Sequence, residues 1–245
     1  ATRLGAWADP VQTAQGQGSG LFLYRAGNLW AATWYTFLED GTPVWYQGVE
    51  AAPGANDGHW DFALHRYTWN GVEQVESNVG RAQWVLTGEQ DAVFSWTLFG
   101  VSGSVRYRNI DAGTCMGLGG KRLDGMWAAA TPPGYSLTSF AGLEVYTAYN
   151  YDDRGMPRWF TGTREGAITS GANAEIVLEQ LGNGPCPVCA WSQPSVRDVG
   201  VLARRFTDAA HGRFAVDIEY AAPLPGGWGA DAATALITDS LDCTP

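Results

Sequence analysis

The sequence predicts an all-β chain made of two tandem, internally repeated antiparallel units, each closing into a β-barrel or a β-sandwich. Three observations carry this. The stretch 33-TWYTFLEDGTPVWYQG-48 returns as 147-TAYNYDDRGMPRWFTG-162. The composition is rich in rings and glycine, with 12 Trp, 10 Tyr, 9 Phe and 32 Gly. Apolar residues alternate with polar ones in short runs bounded by turn residues. Rings pack well on pleated sheets, while glycine supplies the positive φ of tight turns. Few helices are expected.

The repeat sets the organisation. At a constant shift of 114, Tyr35 aligns with Tyr149, Phe37 with Tyr151, Gly41 with Gly155, Pro43 with Pro157, Trp45 with Trp159, Tyr46 with Phe160 and Gly48 with Gly162. Upstream, 5-GAW-7 answers 125-GMW-127; downstream, 61-DFALHRY-67 answers 175-EIVLEQL-181. Each copy ends near a cysteine, Cys115 or Cys243. The expected units are residues 1–118 and 119–245, joined through the Gly-rich 116-MGLGGKRLD-124. Copy two has Ala148 in place of Trp34 and lacks a counterpart to several residues of 16-GQGSGLFLYRAG-27.

Inside copy one, 29-LWAATWYTFLEDGTPVWYQGVE-50 reads as a β-hairpin. An aromatic strand meets the turn pair Asp40-Gly41 and returns as a second aromatic strand, which Pro43 opens where a missing N–H is tolerated. Further strands are expected at 60–67, 82–87, 92–99 and 103–109, and in copy two at 174–181, 199–206 and 213–220. That density of short strands suits a closed barrel or a sandwich.

A Gly-x-Trp at the mouth of the first strand, Gly5 to Trp7 and again Gly125 to Trp127, followed by roughly eight antiparallel strands, resembles the calycin-like barrels of lipocalins and avidins. The resemblance favours barrels over sandwiches and implies one open end per copy able to accept a small ligand. No avidin-like set of polar ligand contacts carries over residue by residue. The doubled hairpin pattern is similar to a repeat of secreted proteobacterial proteins, which implies no particular chemistry.

A formal net charge of −10 argues against a nucleic-acid partner, which would need clustered Lys and Arg. No apolar run reaches the roughly 20 residues of a spanning helix, and nothing at Ala1 has the layout of a signal peptide. A secreted or periplasmic bacterial protein whose export signal is already gone is expected, in keeping with an even number of cysteines. Four cysteines allow three pairings, of which Cys186 with Cys189 and Cys115 with Cys243 are favoured, the second tying copy to copy. A redox role for 185-PCPVCAW-191 would want a helix N-terminus, whereas the prolines point to a hairpin tip. A zinc site would need a second paired spacing that His59, His65 and His211 do not supply. No metal or cofactor is expected.

Most rings must be core, with Trp7 and Trp127 plugging the barrels. Successive hairpin residues point to opposite faces, so some rings should meet solvent or the sister copy. Trp34, Trp45, Tyr46, Tyr149, Trp159 and Phe160 are the candidate exposed ligand contacts. The expected function is noncatalytic binding of a glycan or small ligand through them. One alternative is an enzyme acting on a secreted or cell-wall polymer, with Asp40 or Asp153 as acid and Asp61 or Glu175 as its partner. Each of these has a plainer reading as a turn or solvated strand residue. A second alternative is an accessory domain docking another protein through an aromatic face. The remaining signals are weak. 100-GVSGS-104 lacks the spacing of a nucleophile elbow, 16-GQGSG-20 lacks the Lys of a phosphate loop, and 57-DGHWD-61 and 152-DDRG-155 lack the repeated acids of a calcium loop.

Overall fold

The computed structural model describes residues 4–15, 18–54, 57–110, 115–130, 134–140 and 142–243. Gly16 and Gln17 of the glycine run, and 111–114 of the stretch before Cys115, lie outside the described residues. The chain forms two closed eight-stranded antiparallel barrels in tandem, barrels rather than sandwiches, which fits the calycin-like resemblance.

The first barrel runs β1 (Gly5–Ala8), β2 (Gly20–Ala26), β3 (Leu29–Phe37), β4 (Pro43–Ala51), β5 (His59–Trp69), β6 (Gln74–Leu86), β7 (Asp91–Leu98) and β8 (Val101–Asn109). Each strand pairs with the next, and β8 returns to β1 through Trp7 opposite Asn109. A helix of six residues, α1 (Pro10–Gln15), sits between β1 and β2. Asp9 caps it, its Oδ1 accepting the Val11 N–H at 2.8 Å, with Pro10 at the position where a missing donor costs nothing. So short a helix leaves no periodicity to read.

Two short strands, β9 (Gly117–Leu118) and β10 (Lys121–Arg122), make the join. The second barrel runs β11 (Gly125–Ala128), β12 (Gly134–Phe140), β13 (Leu143–Tyr151), β14 (Pro157–Glu165), β15 (Asn173–Gly182), β16 (Ser195–Phe206), β17 (His211–Glu219) and β18 (Gly227–Leu236), with β18 closing onto β11. Its β12 is the counterpart of β2 that the sequence reading found missing. Gly134 pairs with Tyr149 as Gly20 pairs with Tyr35, at the same shift as the hairpins. The likeness is hidden because β12 buries Ser136, Thr138 and Ser139 where β2 carries Phe22, Tyr24 and Arg25.

By packing, one compact unit is the chain up to Ile110 together with Arg154–Pro157 and Leu181–Ser195, and the other is Asp111–Asp153, Arg158–Gln180 and Val196–Pro245. Both expected disulfides form, Cys115–Cys243 and Cys186–Cys189. The first does not tie copy to copy as expected: both its cysteines belong to the second unit, where it fastens the join beside the Lys121–Asp242 bridge.

Inward residues follow the strand alternation. Trp7 and Trp127 are fully buried, Trp7 standing edge-on to Trp84 at 4.7 Å and Trp127 packing on Phe206 at 4.9 Å. Burial of rings of this size stabilises a core by about 3–5 kcal/mol each, judged by truncation to Ala. One close approach recurs in both barrels. Gly80 (φ 158°) and Gly200 (φ 144°) sit where β6 and β16 meet β7 and β17, and a Cβ there would strike the carbonyl oxygen of Thr97 or of Asp217. In the first barrel this is a bulge, because Leu64 pairs with Gly80 and His65 with Asn78, passing over Val79.

The two cores diverge at the end where β3 and β13 begin. Trp30 and Trp84 of the first barrel are matched in register by Glu144 and Arg204 of the second: Trp84 and Arg204 stand opposite Phe94 and Phe214. Glu144 is fully buried, and its Oε2 accepts the Arg204 Nε–H at 2.9 Å and the Tyr146 hydroxyl at 2.6 Å. Arg164 donates to Oε1 at 2.7 Å. A buried carboxylate is tolerable only when so bonded.

Candidate functional site

The opposite end of the first barrel is open. Three connections surround it. β4 turns Tyr46 inward and β7 gives Trp96 and Leu98, all three part of the barrel core, while Phe37 at the end of β3 lies outside that core cluster and lines the opening beside the hairpin. The β3–β4 hairpin is closed by the Gly41 N–H donating to the Leu38 carbonyl at 2.9 Å. Gly41 takes φ 76°, and Asp40 Oδ1 accepts the Thr42 N–H at 3.0 Å and the Thr42 hydroxyl at 2.6 Å.

The β7–β8 connection is only Phe99-Gly100, since Leu98 already pairs with Val101. Both residues have positive φ, 50° and 83°, the geometry of a type I′ turn. Asn or Gly is usual at the first of these positions, and a bulky residue there is strained. The strain puts a ring at the rim, and Phe99 is 57% exposed. The third wall is the loop after β15, where Cys186, Pro187 and Val188 face the opening. This loop is seated on the hairpin: the Gly184 backbone lies against the Phe37 ring, and a Cβ on Gly41 would come within 2.6 Å of Asn183 Cα.

The walls enclose a cavity of about 410 Å³ whose lining is mostly apolar, within the size range of small-molecule sites. Glu39 and Asp40 supply its acidic rim. Burial pushes the Tyr46 hydroxyl up to about 12, with the nearby Arg66 charge pulling it the other way. The second barrel treats the same end differently. Tyr220 stacks on Phe160 at 5.3 Å, and Tyr220 and Leu224 from the longer β17–β18 connection are part of its buried core. Gln180 fastens that connection, accepting the Ala221 N–H at 2.9 Å and donating to the Ala221 carbonyl at 2.8 Å.

The six rings expected to be exposed are all buried, which corrects that expectation. Trp34, Tyr46 and Phe160 point into their barrels, Trp34 packing edge-on to Phe94 at 5.0 Å and donating its Nε1–H to the Tyr107 hydroxyl at 3.2 Å. Trp45, Tyr149 and Trp159 are on outer faces yet remain 7%, 5% and 2% exposed. Trp45 stacks on Tyr67 at 5.8 Å, and the Tyr149 hydroxyl meets that of Ser136 at 3.2 Å. Of the six, only Tyr46 lines the cavity.

The four candidate acids are exposed. Asp40 lines the barrel mouth but is engaged in its own turn. Asp61 lies in a separate outer-face groove with Glu50 and Arg81, where hydrogen bonds from His59 at 2.7 Å and Gln83 at 3.1 Å hold its carboxyl below the usual range. Asp153 lies against Gly226, and Glu175 is an outward residue of β15. Among the described residues, no group of three or more His, Cys, Asp or Glu side chains is arranged to hold a metal ion. No helix among them is long and apolar enough to cross a membrane.

Sequence reasoning missed Phe37, Trp96, Leu98, Phe99 and Val188 as wall residues. The available signal was 98-LFGV-101, an apolar ring beside glycine at a two-residue hairpin tip. Compared with family models, curated proteins and solved structures, the chain matches none, so the calycin-like likeness rests on the two closed barrels themselves.

Proposed function

We propose that the chain is a noncatalytic binding protein that takes a small apolar ligand into the mouth of its first barrel. The observation that carries this is the cavity of about 410 Å³ between Phe37, Tyr46, Trp96, Leu98, Phe99 and the loop at Val188. A ligand there would exchange water for rings on several sides, the usual source of affinity in such sites. Trp34, Trp45 and Trp159 are buried and so cannot stack on a glycan, while the mouth is lined mostly by apolar side chains, so a small apolar molecule is favoured over a sugar. Two disulfides fit an oxidising secreted or periplasmic setting.

The test is a titration of the full chain with the neutral fluorophore N-phenyl-1-naphthylamine. Saturable enhancement is expected in the parent and its loss in Val188→Trp, which fills the cavity from an exposed loop position. Equal enhancement in both would place the binding elsewhere.

A further inference from the structure

We infer that the first barrel's mouth selects apolar ligands bearing one anionic group, which Arg66 receives. This deepens the reading above and rests on it. Arg66 lies on β5 just past the bulge at Leu64/His65, where the β5–β6 ribbon continues beyond the inward-facing Leu64. Its guanidinium carbon sits 5.6 Å from the centroid of the Phe99 ring, and Phe99 is a wall of the cavity.

The Arg66 Nε is buried and has no hydrogen-bond partner, and no carboxylate pairs with Arg66 among the described residues. The neighbouring acid is taken: Glu76 pairs with His65 at 3.3 Å. Ser77, opposite Arg66 across the ladder, carries no charge. A buried cationic N–H without an acceptor is costly, and such orphans are rare unless something completes them. Arg66 is not itself a lining residue: it stands behind Phe99, and its charge also acts on the hydroxyl of Tyr46, a second wall residue. Phe99 makes the same point from the other side. Its strained turn holds one face against the guanidinium while the residue lines the apolar space.

Charge at the rim limits the ligand further. Glu39 and Asp40 line the cavity and are exposed, so their repulsion is weakened by water and salt, whereas Arg66 Nε is withdrawn from water. One anionic group meets a desolvated donor; a second would face two carboxylates. An apolar body with a single sulfonate, carboxylate or similar anion is the matching chemistry.

The experiment compares two fluorophores with the same apolar body, neutral N-phenyl-1-naphthylamine and anionic 8-anilinonaphthalene-1-sulfonate, in the parent, Arg66→Met and Val188→Trp. Met keeps the apolar cover over Phe99 and removes the charge. The parent is expected to bind the anionic probe roughly tenfold or more tighter than the neutral one, the size expected of a charged hydrogen bond. Arg66→Met should erase that preference and leave the neutral probe's affinity within about twofold. Val188→Trp should weaken both. Equal affinities in the parent, or a preference that survives Arg66→Met, would overturn the anion selectivity while leaving the apolar site standing. Failure of both probes to respond to Val188→Trp would overturn the mouth as the site. Should Arg66→Met fold poorly, Arg66→Gln takes its place, with the same loss of preference expected and a surviving preference again overturning the assignment.

Discussion

Phe99 occupies a backbone position that asparagine fills at less cost, and Glu144 occupies a core position that an aromatic ring fills in the sister barrel. Each residue breaks a local rule, with different consequences. Phe99→Asn relieves left-handed strain and is expected to raise stability by about 1 kcal/mol while weakening the neutral probe, read by urea unfolding and by titration. A fall in stability would show that the ring is there for packing. Glu144→Ala or Arg204→Ala each strands a buried partner, and each is expected to cost about 3–5 kcal/mol by the same urea measurement. The double change Glu144→Leu with Arg204→Leu should cost less than either single one, because no fully buried charge is left without a partner and Arg164, which also pairs with Glu144, is part-exposed to water. The sequence could not show this cluster. Glu144 and Arg204 are 60 residues apart, and only barrel closure brings β13 and β16 to one point.

At the scale of elements, the hairpins, the repeat and most strands were legible. Period-two alternation and turn chemistry are local, and the shift of 114 aligned strand with strand. Illegible were α1, too short for a period, and β12, whose buried hydroxyls read as a loop. Burial of the outward hairpin rings was illegible too: alternation tells which face a residue takes, not what covers that face. The bulge glycines give the element-scale test. Gly80→Ala is expected to destabilise the first barrel by several kcal/mol, because the new Cβ meets the Thr97 carbonyl and the φ of 158° disfavours it. A change under about 0.5 kcal/mol in urea unfolding, the range of neutral surface substitutions, would mean the ladder shifts to accommodate it. The mouths differ by one connection. Two residues at Phe99-Gly100 leave the first open, while the longer β17–β18 connection puts Tyr220 and Leu224 into the second core.

For the whole molecule, buried phenols set an alkaline limit. Burial raises Tyr24 and Tyr46 to about 12, and drives Tyr107 and Tyr35 higher still. Below pH about 10 both folded and unfolded chains hold these protons, so stability is unaffected. Above it the unfolded chain ionises first and stability drains as pH rises through the folded values, by on the order of 1 kcal/mol per group per pH unit. Phenolate absorbance should therefore rise together with loss of fold, and full ionisation of a folded chain would contradict this burial. On the proposed binding role, the open mouth of the first barrel predicts one ligand per chain. The most direct measurement is a proton–nitrogen NMR titration of the tryptophan indoles with N-phenyl-1-naphthylamine. Saturable shifts led by Trp96, with Trp127 and Trp228 of the second barrel unmoved, are expected at one-to-one stoichiometry. Shifts confined to the second barrel, or none in Trp96 at saturation, would contradict a binding site in the first barrel's mouth.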